Sequence, residues 1–248
     1  MAEIIPFIGM PMHNQFVHRG AAQAMWHHAT LKLRNVMHGD VVNTLLPHAF
    51  NKLWCEALNN RKDHGVTHFA MIHSDVHPEP GWLDVLLEEM QAHSADVMAA
   101  VIPIKNPRGL TSTAIGLDDD NARRFTMSEI MELPETFSAA DTDWPDQPLL
   151  VNTGLFVADI RGAWAEEWAL NCGFRIESWI HEVDGVFHPG VASEDWLFSR
   201  DLHRMGQKVM ATRKPPLIHR GDTGYSNQFA WGSWQHDHDA AEQELAAA

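Results

Sequence analysis

The first hundred residues alternate short apolar runs with segments of helical period, and this pattern restricts the possible folds more than any single motif. Ile4–Gly9 reads as a buried strand, followed by a loop over Met10–Asn14. Gln15–His28 has helical spacing through Phe16, Ala21, Ala24 and Met25. Leu31–Val36 predicts a second strand. Leu45–Leu58 repeats apolar residues at Leu45, Leu46, Ala49, Phe50, Leu53, Trp54 and Ala57, a helix period. His68–Ile72 predicts a third strand, Pro80–His93 a helix and Val97–Ile102 a fourth strand. Pro80 suits a first helical turn, where a missing N–H costs little. Such alternation predicts an α/β fold with a parallel or mostly parallel sheet.

The second half is less regular. Residues 103–148 are rich in Pro, Asp and Thr and predict loops with short antiparallel strands. Leu149–Ile160 predicts a short strand around an Asn-Thr-Gly turn. Asp195–Met205 predicts a helix, and Val209–Thr212 and Leu217–His219 predict short strands. No internal repeat or low-complexity linker interrupts the chain, so its 248 residues read as one domain over 1–239 with a flexible tail at 240–248.

Charge narrows the function classes. Acidic residues outnumber Lys and Arg by 33 to 18, a net charge of −15. That surface repels phosphate backbones and anionic membranes unless a local basic patch overrides it. Lys105, Arg108, Arg123 and Arg124 can form such a lip. The two cysteines, Cys55 and Cys172, have no metal-like or redox spacing and read as packed thiols in a reducing compartment. The first residues lack a secretion signal, and no apolar run approaches the roughly 20 residues of a membrane span. The expectation is a cytoplasmic protein without a membrane anchor, in host cytoplasm if it is viral.

Three segments can carry chemistry. In Phe69–Trp82 an apolar strand runs into Ser74-Asp75-Val76-His77. Ligands of open α/β sheets sit just beyond the carboxyl ends of strands. Asp75 and His77, two apart on an extended end, point to one side. A carboxylate with an imidazole suits Mn²⁺ and similar ions. The plain structural alternative is a turn whose Asp caps the next helix. The second segment, Ser193-Glu194-Asp195, opens a helix. Ser193 can cap it, and the helix's positive end favours adjacent acids and keeps Asp195 ionised. Glu194 or Asp195 can instead face a cleft as a general base. The third segment, Leu217–Gly221, is another apolar strand ending in a polar cluster. Its His219 can complete a facial set with Asp75 and His77.

Taken together, these segments resemble GT-A glycosyltransferases, of the family 2-like type. The matching pattern is a strand ending in Asp-x-His, a Glu-Asp at a helix start, then a Gly turn, a strand and a downstream His. The resemblance spans roughly residues 4–221. It implies a Rossmann-like single domain with a mixed central sheet flanked by helices. A nucleotide-binding half would cover about 1–102 and an acceptor half about 103–239. It implies a metal site at Asp75, His77 and His219 for Mn²⁺ or Mg²⁺, bridging the diphosphate of a nucleotide sugar, a UDP-sugar by expectation. Asp195, beside Glu194, would deprotonate a hydroxyl acceptor if the reaction inverts. Asn152, Thr153 and Gly154 resemble the strand that contacts the donor sugar. Pro11, Met12 and Asn14 lie where such folds hold the nucleotide base, with Asn43, Asn51 and Ser74 near the same end. His77 departs from the usual second Asp of the motif.

A metal held by one carboxylate and two neutral imidazoles keeps net positive charge for a diphosphate leaving group. Arg220 and Lys214 can assist or be solvated surface. Tyr225–Trp234 mixes aromatics with Gly, Ser and Asn, which suits a mobile flap over the donor. Trp82, Trp179, Trp196, Trp231 and Trp234 can stack on a sugar or base, or fill the core. His236-Asp237-His238 resembles a metal site by composition, and a surface tail explains it equally. The acceptor is a glycan, a small molecule or, as in phages that modify hydroxymethylated DNA, a base. Rival readings are a nucleotidyltransferase, disfavoured because Met10–Asn14 is not Gly-rich, a noncatalytic nucleotide-sugar-binding module, and a metal hydrolase. The last would need a denser ligand set.

Overall fold

In a computed structural model that describes residues 3–13, 15–116 and 122–236, the two periods of the sequence become strands and helices in chain order. The first half comprises β1 (Pro6–Met12), α1 (Arg19–Trp26), β2 (Met37–Val42), α2 (Leu46–His64), β3 (His68–Ile72), β4 (Val76–Pro78), α3 (Trp82–His93) and β5 (Val97–Ala100). Then come β6 (Leu110–Ile115), β7 (Arg123–Thr126), α4 (Met127–Glu132), β8 (Thr136–Phe137), β9 (Leu149–Leu150), β10 (Leu155–Asp159) and α5 (Trp164–Asn171). The chain continues through β11 (Glu177–Val183), β12 (Val186–Ala192), α6 (Glu194–Arg204), β13 (Val209–Thr212), β14 (Leu217–Arg220) and β15 (Gly224–Ser226).

A seven-stranded sheet in the order β2-β1-β3-β10-β5-β13-β8 forms the centre of a Rossmann-like single domain. β1 pairs in parallel with both β2 and β3, and β5 with β13. β10 runs antiparallel to both β3 and β5, so the sheet is mixed, as the resemblance implies, and not mostly parallel, as the strand–helix alternation predicts. The chain enters β10 from β9, which belongs to a separate three-stranded sheet, β7-β6-β9. β3 is buried along its whole length, as expected of a strand covered on both faces.

Two apolar clusters sandwich the sheet. On one face α2 buries Ala49, Phe50, Leu53, Trp54 and Ala57, the stripe its period predicts. Trp54 meets Phe69 edge-on at 5.0 Å and Trp168 at 5.1 Å, and its indole N–H donates to the Ala165 carbonyl at 3.3 Å. A side chain of that size buried from water contributes about 1.5–3 kcal/mol. The helix runs six residues past its predicted end, to His64, and is capped by Gly65, whose φ of 68° is left-handed. On the other face α1 and α3 pack Ala21, Met25, Trp82 and Leu86 beneath Ile8 and Met98.

Two strand boundaries differ from expectation. β1 continues through Pro11 and Met12, which pair with Val41 and Val42, so the expected loop is mostly strand. The second strand begins at Met37, not Leu31. Asp84 accepts the Leu31 N–H at 2.7 Å, and the Thr30 hydroxyl accepts the Leu33 N–H at 2.9 Å. These bonds draw the chain onto the start of α3 and away from the sheet. The hairpin β11–β12 was not anticipated, although its Asp184-Gly185 turn, with φ of 51° and 80°, is a strong hairpin signal. Cys55 is exposed rather than packed, and both cysteines are free. No helix among the described residues is long and apolar enough to cross a membrane.

Candidate active site

At the carboxyl end of β3 the chain leaves the sheet beside the end of β1. The strand order reverses at this point, where doubly wound sheets open a crevice. His73, the first residue beyond β3, donates its N–H to the Gly154 carbonyl at 2.8 Å. Its ring is buried 5.2 Å from Phe50, and Nε2 has no partner. Burial pushes the imidazole down to about 4, although Asp75 pulls the other way. Ser74 contributes a backbone carbonyl, which accepts the His18 N–H at 2.8 Å and ties the turn to α1.

Asp75 is held from two sides. Its Oδ1 lies 3.6 Å from Nε2 of His219, and its Oδ2 takes an ion pair from Lys105. Its carbonyl accepts the Arg220 N–H at 2.8 Å. Burial would raise this carboxyl, but His219 and Lys105 hold it well below the usual carboxylate range. The His219 Nδ1 sits 2.7 Å from the Pro103 carbonyl. A carbonyl only accepts, so Nδ1 carries a proton there and Nε2 is the nitrogen turned to Asp75.

His77 does not join them. β4 and β14 pair so that His77 opposes Ile218 while Val76 opposes His219. Paired residues share a face and neighbours alternate, so His77 and His219 point to opposite sides of this small sheet. The His77 ring lies 6.0 Å from that of His18, against Gly20 of α1, where a Cβ would collide with it. The expected triad is therefore a pair, Asp75 and His219. Among the described residues no three His, Cys, Asp or Glu side chains surround one point. Two ligands fit Mg²⁺ or Mn²⁺ that reaches the site with a diphosphate, because such ions take one or two protein ligands and complete their shell with phosphates and water. They do not fit an ion caged by protein alone.

The turn before β10 joins this end to the acids of α6. Asn152 Oδ1 accepts the Gly154 N–H at 2.6 Å, and its Nδ2 donates to Asp195 Oδ2 at 3.3 Å. A Cβ on Gly154 would fall 2.6 Å from Asn152 Oδ1 and 2.9 Å from Ile102 Cδ1, so any larger residue must push both side chains aside. Gly154→Ala is expected to destabilise the protein by about 1–3 kcal/mol in denaturant unfolding, the scale of overpacking. An unchanged midpoint would contradict this packing. Thr153 is buried, and its hydroxyl has no partner.

Asp195 is only 8% exposed. Its Oδ1 accepts from the Ser193 hydroxyl and from the Trp196 N–H at 2.9 Å. Ser193 is the N-cap residue by position, but its hydroxyl serves Asp195 rather than a helix N–H. Burial raises the Asp195 carboxyl, and burial followed by the charge of Asp195 raises Glu194 to about 7. Desolvation thus works against the helix end at Asp195, raising a carboxyl that the dipole alone would hold low.

Other expected residues have structural duties. Pro11 and Met12 are buried within β1, and Asn14 lies outside the described residues. Asn51 uses both ends of its amide on the Phe174 backbone, at 2.8 Å each, so it is not free for a donor. Asn43 caps the turn before α2 through the Leu45 N–H at 2.8 Å. Lys214 pairs with Glu89 at 2.6 Å. Arg108 stacks on Trp234 at 4.6 Å, Arg123 on Trp144 at 4.8 Å and Arg124 on Trp196 at 4.3 Å, so the basic lip is laced with aromatics. The expected flap is fastened at two points, by buried Trp234 and by Asn227, which bonds the Leu217 N–H at 3.1 Å. Trp82 and Trp196 are buried as well. His236 lies 3.0 Å from Glu129, while Asp237, His238 and the 240–248 tail fall outside the described residues. His73 was not expected at the site, and Lys105, expected in a basic lip, instead pairs with Asp75. His73 directly follows the apolar run of β3, and that position is the signal that could have found it.

No protein-family model and no curated protein sequence matches the chain. Among solved structures it is similar to the crystal structure of A197 from STIV, at 10% identity and a TM-score of 0.52, over 94% of this chain and 96% of that one. A protein described as a UDP-N-acetylglucosamine pyrophosphorylase from Entamoeba histolytica also aligns, at 11% identity over 66% of this chain and 41% of that one. Its TM-score of 0.34 carries no argument. At 10% identity the likeness to A197 extends to the fold alone, and it covers nearly the whole of both chains.

Proposed function

We propose that this chain is a glycosyltransferase that moves a sugar from a nucleotide sugar, by preference a UDP-sugar, to a hydroxyl acceptor. One observation carries the reading: a strand-end carboxylate facing an imidazole is linked, through the Gly154 turn and Asn152, to a buried acid at a helix start. The first pair suits a diphosphate and the second suits a hydroxyl proton. The acceptor oxygen attacks the anomeric carbon, the bond from that carbon to the diphosphate oxygen breaks, and Asp195 takes the acceptor's proton. This is an inverting displacement. A divalent ion held by Asp75 and His219, Mn²⁺ or Mg²⁺, would supply positive charge to the departing diphosphate. Asn152 fixes the angle of Asp195, and Gly154 lets the turn approach the sugar. The direct test is a panel of nucleotide sugars with Mn²⁺, followed for slow donor hydrolysis, then with glycan, small-molecule and hydroxymethylated-DNA acceptors. Hydrolysis of none of them would defeat the proposal. A noncatalytic binding module would bind a donor, hydrolyse none and be indifferent to Asp195→Asn.

The acids also set a pH dependence. Asp195 works as a base only when ionised, and its neighbour Glu194 titrates near 7. Transfer is expected to fall as pH drops and Asp195 takes up its proton, with the acid limb above the usual carboxylate range because burial raises that carboxyl. Glu194→Gln removes the adjacent negative charge, so the acid limb should move to lower pH. Stability supplies an independent readout. The folded value of Glu194 lies above its ordinary 4.5, so between those values the folded state binds more protons than the unfolded one. Stability therefore falls as pH rises across that interval. Glu194→Gln should stabilise the protein by roughly 1–3 kcal/mol at pH 8 and by nothing at pH 4. Equal gains at both values would mean that charge is not the cause.

A further inference from the structure

Lys105 is a cation already present in the diphosphate end of the site, and the proposed transfer leaves it without a role. It lies in the loop after β5, and its stem packs beside Gly221, where a Cβ would stand 3.1 Å from Lys105 Cδ. Its ammonium pairs with Asp75 Oδ2. The two oxygens of Asp75 thus meet different partners. Oδ1 faces His219, an imidazole locked by the Pro103 carbonyl at 2.7 Å. Oδ2 meets an ammonium on a flexible four-carbon stem, with about a third of each side chain exposed. A partly exposed ion pair of this kind is worth only about 0–1 kcal/mol, so a divalent ion can displace it. The ammonium would then lie within a stem's length of the charge that the ion and Asp75 had attracted.

We infer that Lys105 is a displaceable internal counter-ion: it holds Asp75 while no divalent ion is bound, yields that carboxylate to the ion, and then pairs with the donor's diphosphate. This inference rests on the metal-assisted reading of the site. It explains why only two ligands converge there, since the lysine occupies one side of the anionic one. It also makes two effects of a single substitution run in opposite directions. Removing the ammonium relieves competition for Asp75 and repulsion of the ion, which tightens metal binding. The same removal takes away a contact to diphosphate, which weakens nucleotide binding.

The test is calorimetric titration of the full chain with Mn²⁺ alone, then with UDP at saturating Mn²⁺, for wild type, Lys105→Met, Lys105→Arg and Asp75→Asn. Met keeps the length of the stem and removes its charge. Lys105→Met is expected to bind Mn²⁺ about two- to tenfold more tightly and UDP several-fold more weakly, with Lys105→Arg near wild type. Asp75→Asn should lose Mn²⁺. A readout independent of affinity is acetylation of Lys105 by acetic anhydride, quantified by mass spectrometry, which should increase when Mn²⁺ is added and the ammonium is released. If wild type binds Mn²⁺ while Lys105→Met binds it equally and labelling does not change, the counter-ion exchange is overturned and the metal reading survives. If neither wild type nor Lys105→Met binds Mn²⁺, with or without UDP, the metal reading itself falls and takes the exchange with it.

Discussion

Replacing Asp195 by Asn is expected to lower transfer by about 10²–10⁴-fold, the usual contribution of a positioned base. Donor affinity should stay near wild type, because the donor is held mainly at the Asp75 end of the site. Asn keeps the shape of the side chain and one oxygen for Ser193 and the Trp196 N–H, so the start of α6 should survive. The carboxylate's basicity is what disappears. Its other oxygen already accepts from Asn152 at 3.3 Å, and an acceptor hydroxyl must approach that same edge. Turnover is compared with donor binding measured separately. Unchanged turnover would reduce Asp195 to a buried structural acid, and a collapse of thermal stability would say the same of the Ser193–Asp195 turn. The Glu194→Gln variant separates the two acids, since it should retain turnover at high pH.

The second large effect is expected at Asp75. Asp75→Ala should abolish Mn²⁺ binding and Mn²⁺-dependent donor hydrolysis, because it removes the one anionic group that faces His219 among the described residues. Removing the ion with a chelator should reproduce the loss in wild type and be reversed by Mn²⁺. Full activity in chelator, or in Asp75→Ala, would sink the metal role. The fold should persist, since the Asp75 side chain is partly exposed and the turn is tied by backbone bonds from Arg220 and His18. A folded, inactive variant is therefore the informative outcome.

Much of this architecture is legible in the chain's local periods. His68–Ile72 is a strand in the structure with the bounds its apolar run predicts. The Leu45–Leu58 pattern is the buried stripe of α2, and Ser193-Glu194-Asp195 does open a helix. Asp75 at a strand end and the Gly154 turn were likewise visible as types of position. These features rest on the pleat, the helical turn and the backbone freedom of glycine, all of which act within a few residues.

Which groups meet was another matter. Asp75-Val76-His77 suggests two ligands on one side, yet the pairing of β4 with β14 turns His77 away and brings His219 to Asp75 from 144 positions later. Register between strands so far apart follows from how the whole core packs, and a shift of one residue exchanges the faces. Lys105 meets Asp75 because the loop after β5 and the turn after β3 leave the same edge of the sheet, which spacing does not reveal. The upward shift of Glu194 and Asp195 is tertiary too. A helix start alone favours ionised acids, and only the burial of this one reverses the sign. The sequence by itself determined elements such as β3, α2 and the start of α6, and the kinds of residue at their ends. The tertiary structure decided which of those ends share a crevice and how strongly each carboxyl holds its proton, because register and burial are properties of the packed whole.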